Sequence, residues 1–374
     1  MDAEQTVNGR GALADSAIRE LIRSGAVRNA EEGNVRPASL DLAITSEVYR
    51  IEDIFLPRPG ESVRDILKLG HPTAHHLSHP LERNVTYLAR LQESFFLPSD
   101  IFCFFNPKSS TGRVDIQVRV VADSISRFDT IMPGGYSGEL WLLITPRSFP
   151  VLLIAGESLS QVRFFNYDSV LGHAGLQAEY EKTPLIWDGA GVSLPFTSHC
   201  MDADNNLLLT VDLSQDFIGW ECLGVNKILD LSKRKSYRPM EFFNPVRREG
   251  DHVHLHQGGM YILYTTERVL VPPHLSCEIV PMDERTGEFR AHYAGFVDPG
   301  WGYGRSGELK GRRLVLELRP FEDIVLRDRQ PVTKIRYASL ASLPATLYDT
   351  LDSNYTSDPR QEQGLSKHFN VEVT

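Results

Sequence analysis

Residues 87–107, YLARLQESFFLPSDIFCFFNP, lie in register over residues 261–281, YILYTTERVLVPPHLSCEIVP. Tyr87 meets Tyr261, Glu93 meets Glu267, Pro98 meets Pro272, Cys103 meets Cys277 and Pro107 meets Pro281, all at one offset and without a gap. The register drifts through the next loops and then returns. LLITP (142–146) lies over LELRP (316–320) at the same offset, and QVRFF (161–165) stands near TKIRY (333–337). Self-similarity on this scale is the mark of a duplicated unit. The boundary falls in the Gly- and Pro-bearing stretch 182–195, which gives repeats of residues 1–185 and 186–374.

Both repeats read mainly as strand. Val118–Val121, Leu140–Ile144, Val151–Ile154, Gln161–Phe165, Tyr261–Thr265, Leu314–Leu318 and Thr333–Tyr337 are short apolar or alternating runs bounded by Gly, Pro, Asp or Ser. Helical periodicity is confined to a few places. The clearest is ALADSAIRELIRSGAV (12–27), with Ile18, Leu21 and Ile22 at i, i+3 and i+4. Asp15 or Ser16 would cap it and Gly25 would end it. The expected class is all-β, two tandem sheet-built domains with a few short helices.

A chain of 374 residues with 41% hydrophobic and 24% charged content is ordinary for a soluble globular protein. It shows no apolar run long enough to span a bilayer and no charged leader, so no membrane partner and a cytoplasmic location are expected. A net charge of −10 argues against nucleic acid as a partner. A small anion remains possible, because it needs only a few local donors and cations. Cys103, Cys200, Cys222 and Cys277 lie far apart with no C-x-x-C pair. That removes zinc ribbons, redox motifs and the zinc nucleobase deaminases, and leaves buried thiols.

The copies diverge where chemistry would sit. Opposite KSSTGR (108–113) the second copy has MDER (282–285), which keeps Arg285 but loses both serines and two residues of loop. Opposite Glu317 the first copy has Leu143. One half therefore holds hydroxyls and an arginine without the carboxylate, and the other holds the carboxylate without the loop. A composite site is expected. Glu317 interrupts LVLEL (314–318), a strand otherwise apolar on both faces. A carboxylate there costs free energy unless it is hydrogen-bonded or faces a cleft. Desolvation would raise its pKa, as a general base working near neutrality requires. An exposed strand position is the alternative.

Asp298 in FVDPGWGYG (296–304) suits a turn or a sugar hydroxyl, and Trp301 beside it a core anchor. DHVHLHQGG (251–259) puts His252, His254 and His256 on one strand face. That spacing suits a metal, but no carboxylate is placed nearby by sequence. The stretch reads as a solvated edge, and no metal ligand is assigned.

These residues together resemble the deoxycytidine triphosphate (dCTP) deaminases of the trimeric deoxyuridine triphosphatase (dUTPase) superfamily, in a fused, double-length form. The likeness is carried by ADSAIRELIRSGAV with VRPASLDLAIT (35–45), by TYLARLQESFFLP and GGMYILYTTERVLVP, by KSSTGR, and by VDPGW with LVLEL. The resemblance implies dUTPase-like domains, distorted jelly rolls of the β-clip kind. It implies hydrolytic deamination of dCTP to dUTP and ammonia. Ser109, Ser110 and Arg113 match the loop that holds phosphates and places the attacking water, with Thr111 and Gly112 in the same loop. Lys108 stands where the family has a cation. Glu317 matches the catalytic glutamate, Asp298 a residue near the sugar, and Val315 and Leu316 the backbone lining the base pocket. Tyr355, Gln363 and Lys367, in SNYTSDPRQEQGLSKHF (353–369), are similar to a tail that closes over the nucleotide. The first copy's MPGGYSG (132–138) lacks the Asp-Pro-Gly-Trp order, which fits a half kept for support. No catalytic metal or zinc is implied; Mg2+ accompanies the triphosphate. A homo-oligomer is expected. Two other readings stand beside this one: pyrophosphohydrolysis to dUMP, alone or after deamination, and a nucleotide-binding regulator without turnover.

Overall fold

The computed structural model describes residues 8–196, 201–283, 285, 287, 289–291, 295–351 and 364–370. The first repeat builds a nine-stranded sheet. Its main path runs Ile116–Ala122, Ser137–Pro146, Thr86–Phe96, Leu40–Ile51, Ser158–Phe165, Phe102–Pro107 and Thr130–Ile131. The second repeat divides most of its strands between a six-stranded and a four-stranded sheet, with His252–Leu255 and Ile324–Arg327 forming a two-stranded sheet of their own. Tyr261–Val269 and Arg312–Pro320 are neighbours in the larger; Leu207–Thr210, Pro331–Ser339 and Leu275–Val280 follow one another in the smaller. Among the described residues the named strands pair antiparallel, except that Leu229–Asp230 runs parallel to Val151–Leu152 and so ties one repeat to the other.

The duplication reappears in the hydrogen bonds. Leu88 pairs with Leu143, and at the same offset Ile262 pairs with Glu317. The Tyr87 hydroxyl accepts from the Glu82 amide at 3.1 Å, and the Tyr261 hydroxyl from the His256 amide at 2.9 Å. Glu93 accepts the Ala43 amide and Glu267 the Thr210 amide. Ladder register shifts beside both amides, at Ser158/Ser160 and at Leu209/Thr210. A bulge removes a ladder partner, and a buried amide must find another acceptor. The shared Tyr and Glu of the alignment are thus parts of the fold. Burial pushes the Glu93 carboxyl up to about 8, against the amide it accepts.

The cores interlock. Trp220, Phe242, Phe243 and Ile262 of the second repeat, with Leu365 and Phe369 near the C-terminus, pack into the first repeat's core. Leu176 and Tyr180 of the helix His173–Lys182 pack into the core formed by Leu263, Leu316 and Val332. Cys103, Cys222 and Cys277 are buried free thiols; Cys200 lies outside the described residues.

Three local expectations change. The run Val151–Ile154 is strand only over Val151–Leu152. The first helix spans Asp15–Arg23 with Ala14 at its N-cap, and neither Asp15 nor Ser16 occupies that position. Asp15 instead accepts the amides of Ser16 and of Ala345 in the other repeat, at 2.8 and 2.9 Å. Gly25 does follow the helix, at φ +77°, where a Cβ would be strained. Lastly, KSSTGR, read as a loop, closes as one helical turn, Ser109–Gly112. Among the described residues no helix is long and apolar enough to cross a membrane.

Candidate active site

Side chains alternate along Arg312–Pro320. Leu314, Leu316 and Leu318 enter the second repeat's core, while Val315 packs against the first repeat's core. Glu317 shares the face of Val315 and is 1% exposed. A carboxylate so buried needs a partner, since desolvation otherwise outweighs what packing returns. Arg113 of the first repeat supplies one: its Nε lies 3.7 Å from Glu317 Oε1. Two residues on, Arg319 pairs with Asp115, a second tie between loop and strand.

The helical turn that presents Arg113 is held from beneath. The amides of Thr111 and Gly112 donate to Lys108 O at 2.8 and 3.0 Å, and Thr111 Oγ1 donates to Leu159 O at 3.0 Å. Ser366 Oγ, near the C-terminus, donates to the carbonyl of Ser110 at 3.0 Å. A cavity of about 300 Å3 opens over this turn, lined from the first repeat by Arg36, Asp41, Lys108, Ser109, Ser110, Arg113 and Gln161. Val297, Asp298, Trp301, Val315, Tyr348 and Lys367 line it from the second.

Its charges are paired across short distances. Asp41, itself buried, accepts from Arg36 Nε and Nη2 at 3.0 and 2.8 Å and from Lys108 Nζ at 2.5 Å. Lys367 Nζ lies 3.2 Å from Glu157, and Arg234 approaches the same carboxyl at 3.5 Å. Burial raises the Glu157 pKa, opposed by Arg234 and Lys108. Asp298 meets Arg163 at 2.9 Å and Ser39 Oγ at 3.4 Å. Burial raises its pKa as well, and the guanidinium opposes that rise. Arg163 is only 1% exposed and also donates to the carbonyls of Ala38 and Cys277. The cavity is therefore lined by cations and hydroxyls and by Asp298, which is paired with the buried Arg163 behind it.

Of the residues singled out in sequence, Lys108, Ser109, Ser110, Arg113, Asp298, Val315 and Lys367 come together around this cavity, with Glu317 against Arg113. Thr111 and Gly112 are buried and hold the turn without lining the cavity. The Leu316 side chain is in the second repeat's core, so only its backbone is available to a ligand. Tyr355 and Gln363 lie outside the described residues. Sequence reasoning passed over Arg36, Asp41, Gln161 and Arg163. Asp41 carried the signal that marked Glu317: a lone acid between Leu40 and Leu42, both wholly buried. The second repeat has Leu208 at the matching position, since Leu40 faces Val162 as Leu207 faces Ile335. Gln161 carries no such signal.

Two family models match the chain. That of the 2'-deoxycytidine 5'-triphosphate deaminase N-terminal domain covers residues 9–168, and that of the C-terminal domain of the same family covers residues 188–369. Among solved structures, the chain is similar to the 2'-deoxycytidine 5'-triphosphate deaminase from Agrobacterium tumefaciens. The two are 35% identical with a TM-score of 0.81, over 90% of this chain and 100% of that one.

Proposed function

The chain belongs to the 2'-deoxycytidine 5'-triphosphate deaminase family, a family of hydrolases, and from that premise we propose that it converts dCTP and water to dUTP and ammonia in the cavity between its repeats. The observation that carries this reading is the 3.7 Å approach of Arg113 to Glu317, because the loop that presents Arg113 has its serines only in the first repeat and the carboxylate stands only in the second, where the first has Leu143. In this proposal Glu317 takes a proton from water as the oxygen bonds to C4 of the cytosine ring. It passes that proton to N3 of the ring, then carries the remaining proton of the new C4 hydroxyl to N4, and the C4–N4 bond breaks to release ammonia and leave the C4 carbonyl of the uracil. One partly desolvated carboxylate can serve as base and then as acid. Arg113 and Ser109 orient the water and stabilise charge as it develops.

Lys108, Ser110, Arg36 and Lys367 would take the triphosphate, since hydroxyl, ammonium and guanidinium donors all match phosphate oxygens. Phosphate binding remote from C4 contributes orientation at the reacting atom. The donor set fits a triphosphate better than a magnesium cage, because Asp41 and Asp298 are each gripped by cations. Magnesium would be held mainly by the phosphates, screening their charge as it enters. Two dUTPase-like domains of the β-clip kind and a homo-oligomer complete the proposal; sedimentation of the purified chain tests the latter.

Ammonia release from dCTP tests the reaction itself. Glu317→Gln should lower kcat at least ~100-fold, the contribution general acid–base catalysis makes, while dCTP binding persists. A fully active Glu317→Gln enzyme would remove Glu317 from the chemistry. Pyrophosphate appearing together with ammonia would extend the reaction to dUMP.

A further inference from the structure

We propose that Glu249, His252 and His254 form a site for one late first-row divalent cation of the zinc or nickel class, on the hairpin that precedes Tyr261–Val269. The strand His252–Leu255 pairs with Ile324–Arg327 and buries Val253 and Leu255. Alternation therefore puts His252 and His254 side by side on the solvent face. Sequence alone left this face without a carboxylate. The fold provides it: the chain reverses at Gly250, at φ +71°, and the Glu249 amide donates to His252 O at 2.7 Å. One ligand atom from each of Glu249, His252 and His254 then lies within 4.8 Å of the others. Zinc takes imidazole nitrogen and carboxylate oxygen at about 2.0–2.2 Å. Closing to that geometry rotates only side chains that reach solvent.

The surroundings support the assignment. Asp251 Oδ1 lies 3.4 Å from His252 Nδ1, where a carboxylate can fix the ring and leave Nε2 outward. Arg327, the cross-strand partner of His252, is engaged by Asp251. His256 stands apart, 3.7 Å from Asp323. Two imidazoles with one carboxylate suit zinc, nickel or copper and not magnesium, so this site is chemically separate from any ion carried by a triphosphate. The hairpin continues to Gly258, whose amide donates to Pro320 O at the end of the Glu317 strand. A bound cation would pin that segment.

The test titrates the full, nucleotide-free chain, stripped with chelator, with nickel or zinc chloride in a calorimeter. One saturable equivalent is expected. It should vanish in the His252→Ala/His254→Ala double variant and weaken at least ~10-fold in Glu249→Gln. It should persist unchanged in Glu317→Gln. The metal should also raise the melting temperature of the unsubstituted chain and not that of the double variant. A cobalt spectrum free of thiolate bands would separate the site from Cys200. Equal binding by the double variant, or no saturable equivalent in the unsubstituted chain, overturns the proposal. Should the double variant fold poorly, Glu249→Gln carries the same test alone.

Discussion

Replacing Arg163 with methionine tests how the repeats are held together at the site. The guanidinium is buried and joins Ala38 O at 3.2 Å and Cys277 O at 3.0 Å, one carbonyl from each repeat. It also pairs with Asp298 at 2.9 Å and lies 4.3 Å from the Phe296 ring centroid. Methionine fills much of the volume and so limits the cavity term. The cost then comes from Asp298, left buried without its cation. Breaking such a pair from one side costs roughly 3–5 kcal/mol. Asp298 can recover part of this by protonating, a direction in which burial already pushes it. A loss of about 4 kcal/mol is expected, near 10 °C in melting temperature for a unit of this size. Urea titration of Arg163→Met, Asp298→Asn and the double variant measures it. The double variant should recover about 2 kcal/mol, because no charge is left behind. A single-variant loss under about 1 kcal/mol would refute the reasoning, since that is the worth of an exposed pair.

Two further outcomes follow from the site and its C-terminal neighbour. Lys108→Met installs the residue of the second repeat, Met282; it should raise KM for dCTP roughly 10–100-fold, the worth of one charged hydrogen bond, with Asp41 still held by Arg36. Steady-state kinetics check it, and an unchanged KM would separate Lys108 from the phosphates. Burial lowers the His368 pKa to about 4, against its contact with Lys233 O. A depressed histidine contributes stability above its unfolded value of about 6.5 that is lost as pH falls toward its folded value. Docking of residues 364–370 should therefore weaken by about 2 kcal/mol between pH 7 and pH 5. Hydrogen exchange of the Ser236 and Tyr237 amides, both donors to His368 O, reads this out. His368→Phe should abolish the pH dependence.

Much of the fold was legible because strand pairing repeats at a constant spacing. The alignment of Tyr87 with Tyr261 and Glu93 with Glu267 reflects two local devices, a phenol closing a turn and a carboxylate serving a bulged amide. Both act over short spans or between neighbouring strands, so they leave a pattern in the chain. The helix cap was not legible, because Asp15 is taken up by the Ala345 amide, more than three hundred residues away. Asp41 was legible in principle, by the same break in an apolar strand that marked Glu317. Arg163 was not: an arginine in QVRFF reads as a solvent-facing strand residue until the other repeat closes over it.

The sequence alone carried the self-similarity at one offset, the lone acid that interrupts LVLEL, and the unequal inheritance of loop and acid between the copies. Tertiary structure alone decided that Arg113 reaches Glu317, that Asp298 is clasped by Arg163, and that Glu249 joins two histidines. The division has a physical cause. Alternation and turns are set by neighbours along the chain, whereas the approach of groups two hundred residues apart depends on which apolar faces bury each other, and those faces tolerate many sequences.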